Sequence, residues 1–97
     1  MDKVFYDWII KNRIIIEDKS IKIDEIVRGK GEYVEEATRV DFINDKKLSR
    51  VVVFQTGRIY IQILDINTEA TDFFYDDYMN ENENFDTFIW EAINKMI

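Results

Sequence analysis

The chain has no histidine, cysteine or proline and only three glycines. Without histidine there is no imidazole base near neutral pH and no Ser-His dyad, and without cysteine there is no disulfide and no thiolate metal site. The only serines, Ser20 and Ser49, do not stand in a nucleophile motif. Carboxylate pairs remain open as acid–base groups, but the sequence selects no particular pair. We therefore predict that the protein is not an enzyme and uses no cofactor or metal.

Long apolar runs are also absent. Asp7 and Lys11 interrupt the first apolar stretch, and no small-residue cleavage site follows it, so no secretory signal is predicted. The unbroken apolar runs are far too short to cross a bilayer. Together with the lack of cysteine, these features predict a cytoplasmic protein without membrane contact. At 97 residues, of which 46% are hydrophobic, the chain suits one folded domain over residues 1–97.

The net charge of −7 is concentrated in the last third of the chain. Residues 1–63 carry 11 acidic and 12 basic side chains, whereas residues 64–97 carry nine acidic side chains and a lone Lys95. Acidic and aromatic residues alternate from Asp72 to Tyr78. A negative field repels nucleic acid and anionic lipid and speeds encounter with a basic protein, for which aromatic rings supply contact area. The sequence therefore predicts a binder of a basic partner.

The predicted partner-binding residues combine these carboxylates with nearby rings. They are Tyr60, Asp65, Glu69, Asp72, Phe74, Asp76, Asp77, Tyr78, Glu81 and Glu83. The carboxylates are expected to steer a basic partner, and Tyr60, Phe74 and Tyr78 are expected to be the contact anchors. The alternative is that Phe74 and Tyr78 are ordinary core residues under the first helix. Arg58 is expected beside Asp76, where it weakens the negative field.

Two short motifs have weaker functional alternatives. Asparagines alternate from Asn80 to Asn84, and Glu91 stands where an EF-hand loop has its last calcium ligand, but Phe85 replaces the glycine that such a loop needs. A solvated loop leading into a capped helix is the preferred interpretation. Gly29-Lys30-Gly31 lacks the spacing of a phosphate-binding loop and is interpreted as a flexible turn.

Hydrophobic periodicity predicts the order helix, four or five strands, helix. This order indicates an α+β fold, in which hairpins join an antiparallel sheet and the C-terminal helix packs on the sheet. The first helix is predicted over residues 3–16 with Asp2 as its N-cap, and the last helix begins at Phe85 with Asn84 as its N-cap. The apolar stripe of the first helix is predicted to contain Val4, Phe5, Trp8, Ile9, Ile15 and Ile16.

The pairing of the central strands is predicted from their turns. Thr56-Gly57 is interpreted as a two-residue hairpin turn, which places Val52 opposite Ile61 and Val53 opposite Tyr60. A slip of one residue would exchange the two faces of a strand, so these assignments depend on the turn.

The following hairpin is predicted by pairing Ile66 with Ala70. One face of the sheet then takes Ile59, Ile61, Ile63, Phe73 and Tyr75. The opposite face, predicted to be exposed, takes Tyr60, Gln62, Asp72, Phe74, Asp76 and Tyr78.

The order of strands and turns resembles a known family. Residues Ser49 to Gly57 and Leu64 to Glu69, followed by the aromatic–acidic strand and the terminal helix, look like a small bacterial immunity protein. With the opening Phe5-Tyr6-Asp7-Trp8-Ile9, the chain is similar to the TriTu immunity proteins of contact-dependent growth inhibition and related polymorphic toxin systems. The resemblance implies a protein that binds and blocks the C-terminal nuclease domain of a toxin. It also implies that this toxin is similar to tRNA-cleaving nucleases that work with elongation factor Tu.

The charge of the chain agrees with what this resemblance implies. An RNase attracts phosphates and is basic around its active site, so an acidic protein competes for the same surface. We expect a monomer or weak homodimer that covers the active site of a cognate basic nuclease. Two alternatives remain. A nucleic-acid mimic that inhibits a DNA-binding protein needs carboxylates spaced like phosphates, and a small acid–base enzyme or ligand carrier needs a concave pocket lined by carboxylates.

Overall fold

The computed structural model describes residues 1–31, 33–79 and 83–97 of the chain. The element order is α1 (Asp2–Asp18), β1 (Lys22–Gly29), β2 (Ala37–Ile43), β3 (Lys47–Phe54), β4 (Arg58–Asp65), β5 (Thr71–Tyr78) and α2 (Phe85–Asn94). The strands form one antiparallel sheet in the order β1-β2-β3-β4-β5. The predicted α+β class, with a helix on either side of the strands in the chain, is confirmed. In the part of the chain that the structure describes, neither helix is long and apolar enough to cross a membrane.

Both helices pack on the same face of the sheet. The sheet contributes Val40, Phe42, Val51, Val53, Ile59, Ile61 and Ile63 to the core, the helices contribute Phe5, Ile9, Ile16, Ile89 and Ile93, and Met96 follows α2. The helices also contact each other, because the Trp8 and Trp90 ring centroids are 5.0 Å apart and Trp8 Nε1 donates a 2.7 Å hydrogen bond to Asp86 Oδ1. Among the described residues, neither helix covers the opposite face.

The apolar stripe of α1 is rotated slightly from its predicted position. Phe5, Trp8, Ile9 and Ile16 are buried as predicted, but Val4 and Ile15 are 52% and 50% exposed. Asn12 is buried instead, and its Nδ2 donates a 2.9 Å hydrogen bond to Trp8 O. At 3.6 residues per turn, a stripe through residues 5, 9, 12 and 16 leaves Val4 and Ile15 at its margins. The N-cap is Met1, so the prediction of Asp2 in that position was wrong.

The start of α2 agrees with the prediction. Asn84 is the N-cap, and its Oδ1 accepts a 3.1 Å hydrogen bond from Thr87 N. The side chain that the calcium alternative required as a ligand is therefore engaged in capping the helix. Residues Asn80 and Asn82 of that alternative lie outside the described residues.

The turn between β3 and β4 is one residue longer than predicted. Gln55, Thr56 and Gly57 separate Phe54 from Arg58, and Gly57 N donates a 2.9 Å hydrogen bond to Phe54 O. Gly57 has a φ of +97°, in the left-handed region that favours glycine and that ends a common type of three-residue hairpin loop.

This longer turn changes which face each β3 residue occupies. Val51 lies opposite Ile61, and Val52 lies opposite Tyr60. The predicted pairs of Val52 with Ile61 and Val53 with Tyr60 were therefore wrong. Val51 and Val53 face the helices, and Val52 points to the other side of the sheet.

The pairing of β4 with β5 was predicted correctly within the strands but not at the turn. Ile61 lies opposite Tyr75, and the flanking inward residues Ile59 and Ile63 lie opposite Asp77 and Phe73, all as the pairing of Ile66 with Ala70 predicts. The turn is closed by Asp65, whose N donates a 2.9 Å hydrogen bond to Ala70 O, and not by Ile66. Because Leu64 lies opposite Thr71 while Ile63 lies opposite Phe73, Asp72 is an extra residue in β5. This β-bulge restores the predicted register beyond it.

Candidate functional site

The face of the sheet opposite the helices is called the open face here. Its side chains come from β2 to β5 and include Arg39, Asp41, Arg50, Val52, Phe54, Arg58, Tyr60, Gln62, Phe74, Asp76 and Tyr78. Phe74 and Tyr78 are 56% and 58% exposed, so the alternative that they are core residues under the first helix is wrong. Large exposed rings of this kind are typical anchors of protein interfaces.

The exposed rings of the open face are supported by neighbouring side chains. Tyr60 packs edge-to-face against Phe74, with ring centroids 5.5 Å apart. The Tyr60 hydroxyl donates a 3.0 Å hydrogen bond to Gln62 Oε1. Because these contacts restrict the rotamers of the rings, less side-chain entropy remains to be lost when a partner binds.

An ion pair lies at the rim of the open face. Arg58 Nε and Nη2 donate hydrogen bonds of 2.8 Å each to the two carboxylate oxygens of Asp76. The guanidinium lowers the pKa of the Asp76 carboxyl, and this carboxylate raises the pKa of Arg58 in return. The expectation that Arg58 lies beside Asp76 is confirmed.

Further ion pairs join β1, β2 and β3. Arg50 Nε and Nη2 donate to the Asp41 carboxylate at 2.9 and 3.3 Å, and Arg39 Nη2 donates to Glu25 Oε2 at 2.8 Å. Arginines thus alternate with carboxylates on the open face. Such a mixed surface differs from the row of phosphate-like charges that a nucleic-acid mimic needs.

Two adjoining cavities indent the open face. One of about 330 Å³ extends from Asp24 to Leu64, and one of about 250 Å³ is lined by Tyr33 and Phe54 among others. Arg50 and Tyr60 line both cavities. The centre of the open face is therefore a shallow trough, and its shape suits a protruding loop or helix of a partner.

Two of the predicted site residues lie in the β4–β5 turn. Asp65 Oδ1 accepts hydrogen bonds from Thr68 N at 3.0 Å and from Asn67 N at 2.8 Å. The bond from Thr68 is the main cause of the lowered pKa of the Asp65 carboxyl. Glu69 is exposed and has a φ of +62°. In the free protein, Asp65 therefore has a structural role in forming the turn.

Two further predicted residues do not lie on the open face. Asp72 was predicted to lie there, but at its bulge its Oδ2 is 3.2 Å from Lys47 Nζ. Lys47 Nζ also donates to Lys95 O at 3.0 Å, which places this group on the helix side of the sheet. Asp77 lies opposite the buried Ile59, so it belongs to the helix side as well.

The last two predicted residues, Glu81 and Glu83, precede α2 in the sequence. Glu81 lies outside the described residues. Glu83 lines a cavity of about 230 Å³ together with Asn84, Thr87, Phe88 and Glu91. The pKa of the nearby Tyr75 phenol is raised by burial first and then by the charges of Asp77 and Glu83. Of the predicted set, the open face therefore brings together Tyr60, Phe74, Asp76 and Tyr78.

Sequence reasoning missed the contribution of β3 and of the preceding loop to the open face. Tyr33 packs edge-to-face against Phe54 at 5.3 Å, and Val52 is only 2% exposed at the floor of the trough. The signal for Val52 and Phe54 was present in the chain. A three-residue loop ending in Gly57 gives the correct register, and that register places both residues on the open face.

The comparison with protein families gives one match. The model of the family described as Immunity protein TriTu matches residues 3–95, nearly the whole chain. The chain belongs to the TriTu family of immunity proteins. Membership implies a non-catalytic inhibitor with a cognate toxin as its partner. No curated protein and no solved structure matches the chain significantly.

Proposed function

We propose that this immunity protein neutralises a basic, RNA-cleaving toxin domain by covering its active-site surface with the open face. Family membership supports an inhibitor of a toxin. The observation that carries the choice of surface is the exposure of Phe74 and Tyr78 beside the trough, 56% and 58% respectively. Residues 1–97 would act as a single domain, in the cytoplasm, where the RNA substrate of such a toxin is found.

The charge of the chain supports a basic nuclease as the toxin. A nuclease needs positive charge to attract the phosphates of its substrate. Residues 64–97 carry eight negative charges in excess, which would accelerate association with such a domain. If the toxin resembles a tRNA-cleaving enzyme that works with elongation factor Tu, that factor would join the immunity protein only through the toxin.

Association and retention would depend on different groups: association on the carboxylates along β5 and before α2, and retention on the rings of the open face. The negative charge of these carboxylates would attract the basic toxin over several ångströms and so raise the association rate, an effect that salt screens. Phe74 and Tyr78 would lose their solvent contact in the complex, and truncation of such anchors commonly costs about 2 kcal/mol each or more. The trough would take a protruding element of the toxin between Tyr33 and Tyr60.

A tRNA-cleavage assay tests this function. The probe is the purified C-terminal domain of the cognate toxin, titrated with wild-type protein and with Phe74→Ala/Tyr78→Ala. The matched control is Ile10→Ala/Ile14→Ala, which removes apolar side chains that are 49% and 74% exposed on α1. The open-face variant should need at least about 30-fold more protein for half-inhibition, and the control should inhibit like wild type. Equal inhibition by all three proteins would contradict the assignment of the open face.

A further inference from the structure

The outer margin of the sheet is formed by β5 together with one stripe of α2. The Phe88 ring packs on the Tyr75 ring at 5.1 Å, and Lys95 Nζ is 4.9 Å from the centroid of the Phe73 ring. The side of α2 that faces α1 is different, because it carries the Trp90 ring that packs on α1. The stripe beside β5 consists of Asn84, Phe88, Glu91 and Lys95.

The outer edge of β5 is regular enough to accept another strand. The six residues from Phe73 to Tyr78 keep one register with β4, and no strand pairs with their other side within the described chain. Alternate backbone N–H and C=O groups of an edge strand point outwards and can pair with a further strand. At Tyr78 these groups are already bonded, because its N–H donates to Asp77 Oδ1 at 2.7 Å and its C=O accepts from the Tyr75 hydroxyl at 2.9 Å, so the stretch offered to a further strand runs from Phe73 to Asp77. The opposite edge is less suitable, because a register shift between Ile23 and Glu25 interrupts β1.

The negative charge of β5 favours a basic strand as its further neighbour. β5 has no lysine or proline, which commonly protect edge strands, but it has Asp76 and Asp77. If two copies of β5 paired with each other, these carboxylates would come close, and like charges across a strand pair are destabilising. A strand that carries lysine or arginine would be attracted instead.

A cavity on the helix side of this edge has matching chemistry. It measures about 230 Å³, and its lining includes the carboxylates of Glu83 and Glu91 and the ring of Phe88. The described residues that line it belong to α2 and the residues just before it, and Phe88, which packs on Tyr75, connects the cavity to β5. Two carboxylates beside an aromatic ring suit a lysine or arginine side chain, which can form ion pairs and a cation–π contact.

We propose that an extended basic segment of the toxin pairs with the outer edge of β5 as a sixth strand and places a lysine or arginine between Glu83 and Glu91. Backbone hydrogen bonds would supply affinity, and the alternating side chains would supply specificity. Side chains on one face of this segment would reach the cavity, and those on the other would lie beside Phe74 and Tyr78. This inference rests on the proposed function, because it needs a basic toxin, but it concerns a contact separate from the trough.

Amide hydrogen exchange measured by NMR tests the proposal. The isotope-labelled immunity protein is compared free and bound to a catalytically inactive variant of the C-terminal domain of the cognate toxin. In the free protein, the outward-pointing amides between Phe73 and Asp77 should exchange rapidly, and in the complex their exchange should be slowed about tenfold or more, because they then pair with the toxin segment. Intermolecular backbone NOEs to β5 should accompany this protection.

A pair of charge variants supplies a second readout. Glu83→Gln/Glu91→Gln should weaken binding of the same toxin domain about tenfold, whereas Asp7→Asn/Asp18→Asn, which removes two exposed carboxylates of α1, should have little effect. If the complex forms through the open face but the outer β5 amides exchange as in the free protein, the sixth strand is wrong and the proposed function stands. Dimerisation of the immunity protein through β5 would overturn the choice of partner. Failure of the toxin domain to bind would overturn both proposals.

Discussion

Arg58 and Asp76 are held together diagonally across β4 and β5 by two hydrogen bonds of 2.8 Å. The residue directly opposite Arg58 is Tyr78, and the residue directly opposite Asp76 is Tyr60. The ion pair thus lies among the rings that are proposed to anchor the toxin. Removing either member breaks the same contact but changes the local charge in opposite directions.

This relationship gives a prediction about association rates. Arg58→Gln makes the open face more negative and should speed association with the toxin domain, whereas Asp76→Asn should slow it. Each change should be about two- to fivefold at low salt and should shrink as salt is added, because one charge near a contact is worth at most about 1 kcal/mol in water. Stopped-flow mixing measures these rates. If both variants change the rate in the same direction, the effect comes from the broken contact and not from steering.

Acid sensitivity is predicted from the two aspartates with lowered pKa. The pKa of Asp76 is lowered below its ordinary value of 3.8 mainly by the hydrogen bond from Arg58. The pKa of Asp65 is also lowered below 3.8, mainly by the hydrogen bond from the Thr68 amide. Because each carboxyl has a lower pKa in the folded protein than in the unfolded chain, its ionised form stabilises the fold above pH 3.8. This stabilisation is lost as the pH falls through the pKa of the folded protein. Denaturant unfolding at several pH values should therefore show a decline below about pH 4. Asp76→Asn should lessen this decline, and an unchanged profile would contradict the role of the ion pair.

The register of the sheet predicts opposite stability effects for two neighbouring apolar residues. Ile61 is fully buried, so Ile61→Ala should lower the free energy of unfolding by about 2–5 kcal/mol. Phe74 is 56% exposed, so Phe74→Ala should lower it far less. Thermal and denaturant melts of the two variants provide the comparison. Equal destabilisation would mean that Phe74 is packed in the free protein and is unsuitable as a docking anchor.

The β3–β4 loop is predicted to depend on glycine at position 57. Gly57 has a φ of +97°, and a Cβ added there would be 3.6 Å from Met1 Cγ, an ordinary contact. Gly57→Ala should therefore destabilise the protein by about 1–3 kcal/mol through backbone strain alone. Thr56→Ala, at the adjacent position, is the control and should cost less. Denaturant unfolding provides the test, and a Gly57→Ala protein as stable as wild type would contradict this account of the turn.

The sequence predicts the element order well, because helical and alternating periodicities are strong signals and both helix stripes are long. The prediction from the sequence failed where one residue in a loop or a bulge decides which face of the sheet the following residues occupy. The three-residue loop ending at Gly57 moved Val52 to the open face, and the bulge at Asp72 moved that carboxylate towards Lys47. The distribution of charge was also hard to foresee. Neighbours in sequence such as Asp76 and Asp77 lie on opposite faces of a strand, and ion pairs such as Arg58 with Asp76 depend on the register.

The dissociation rate of the toxin complex tests the central claim most directly, namely that the open face holds the toxin. Phe74→Ala and Tyr78→Ala should each speed dissociation of the toxin domain about 30-fold, as expected for a loss of about 2 kcal/mol, while association changes little. Ile14→Ala, which truncates a side chain that is 74% exposed on α1, should dissociate like wild type. Dissociation that is unchanged in both open-face variants, or equally faster in the α1 control, would contradict the account.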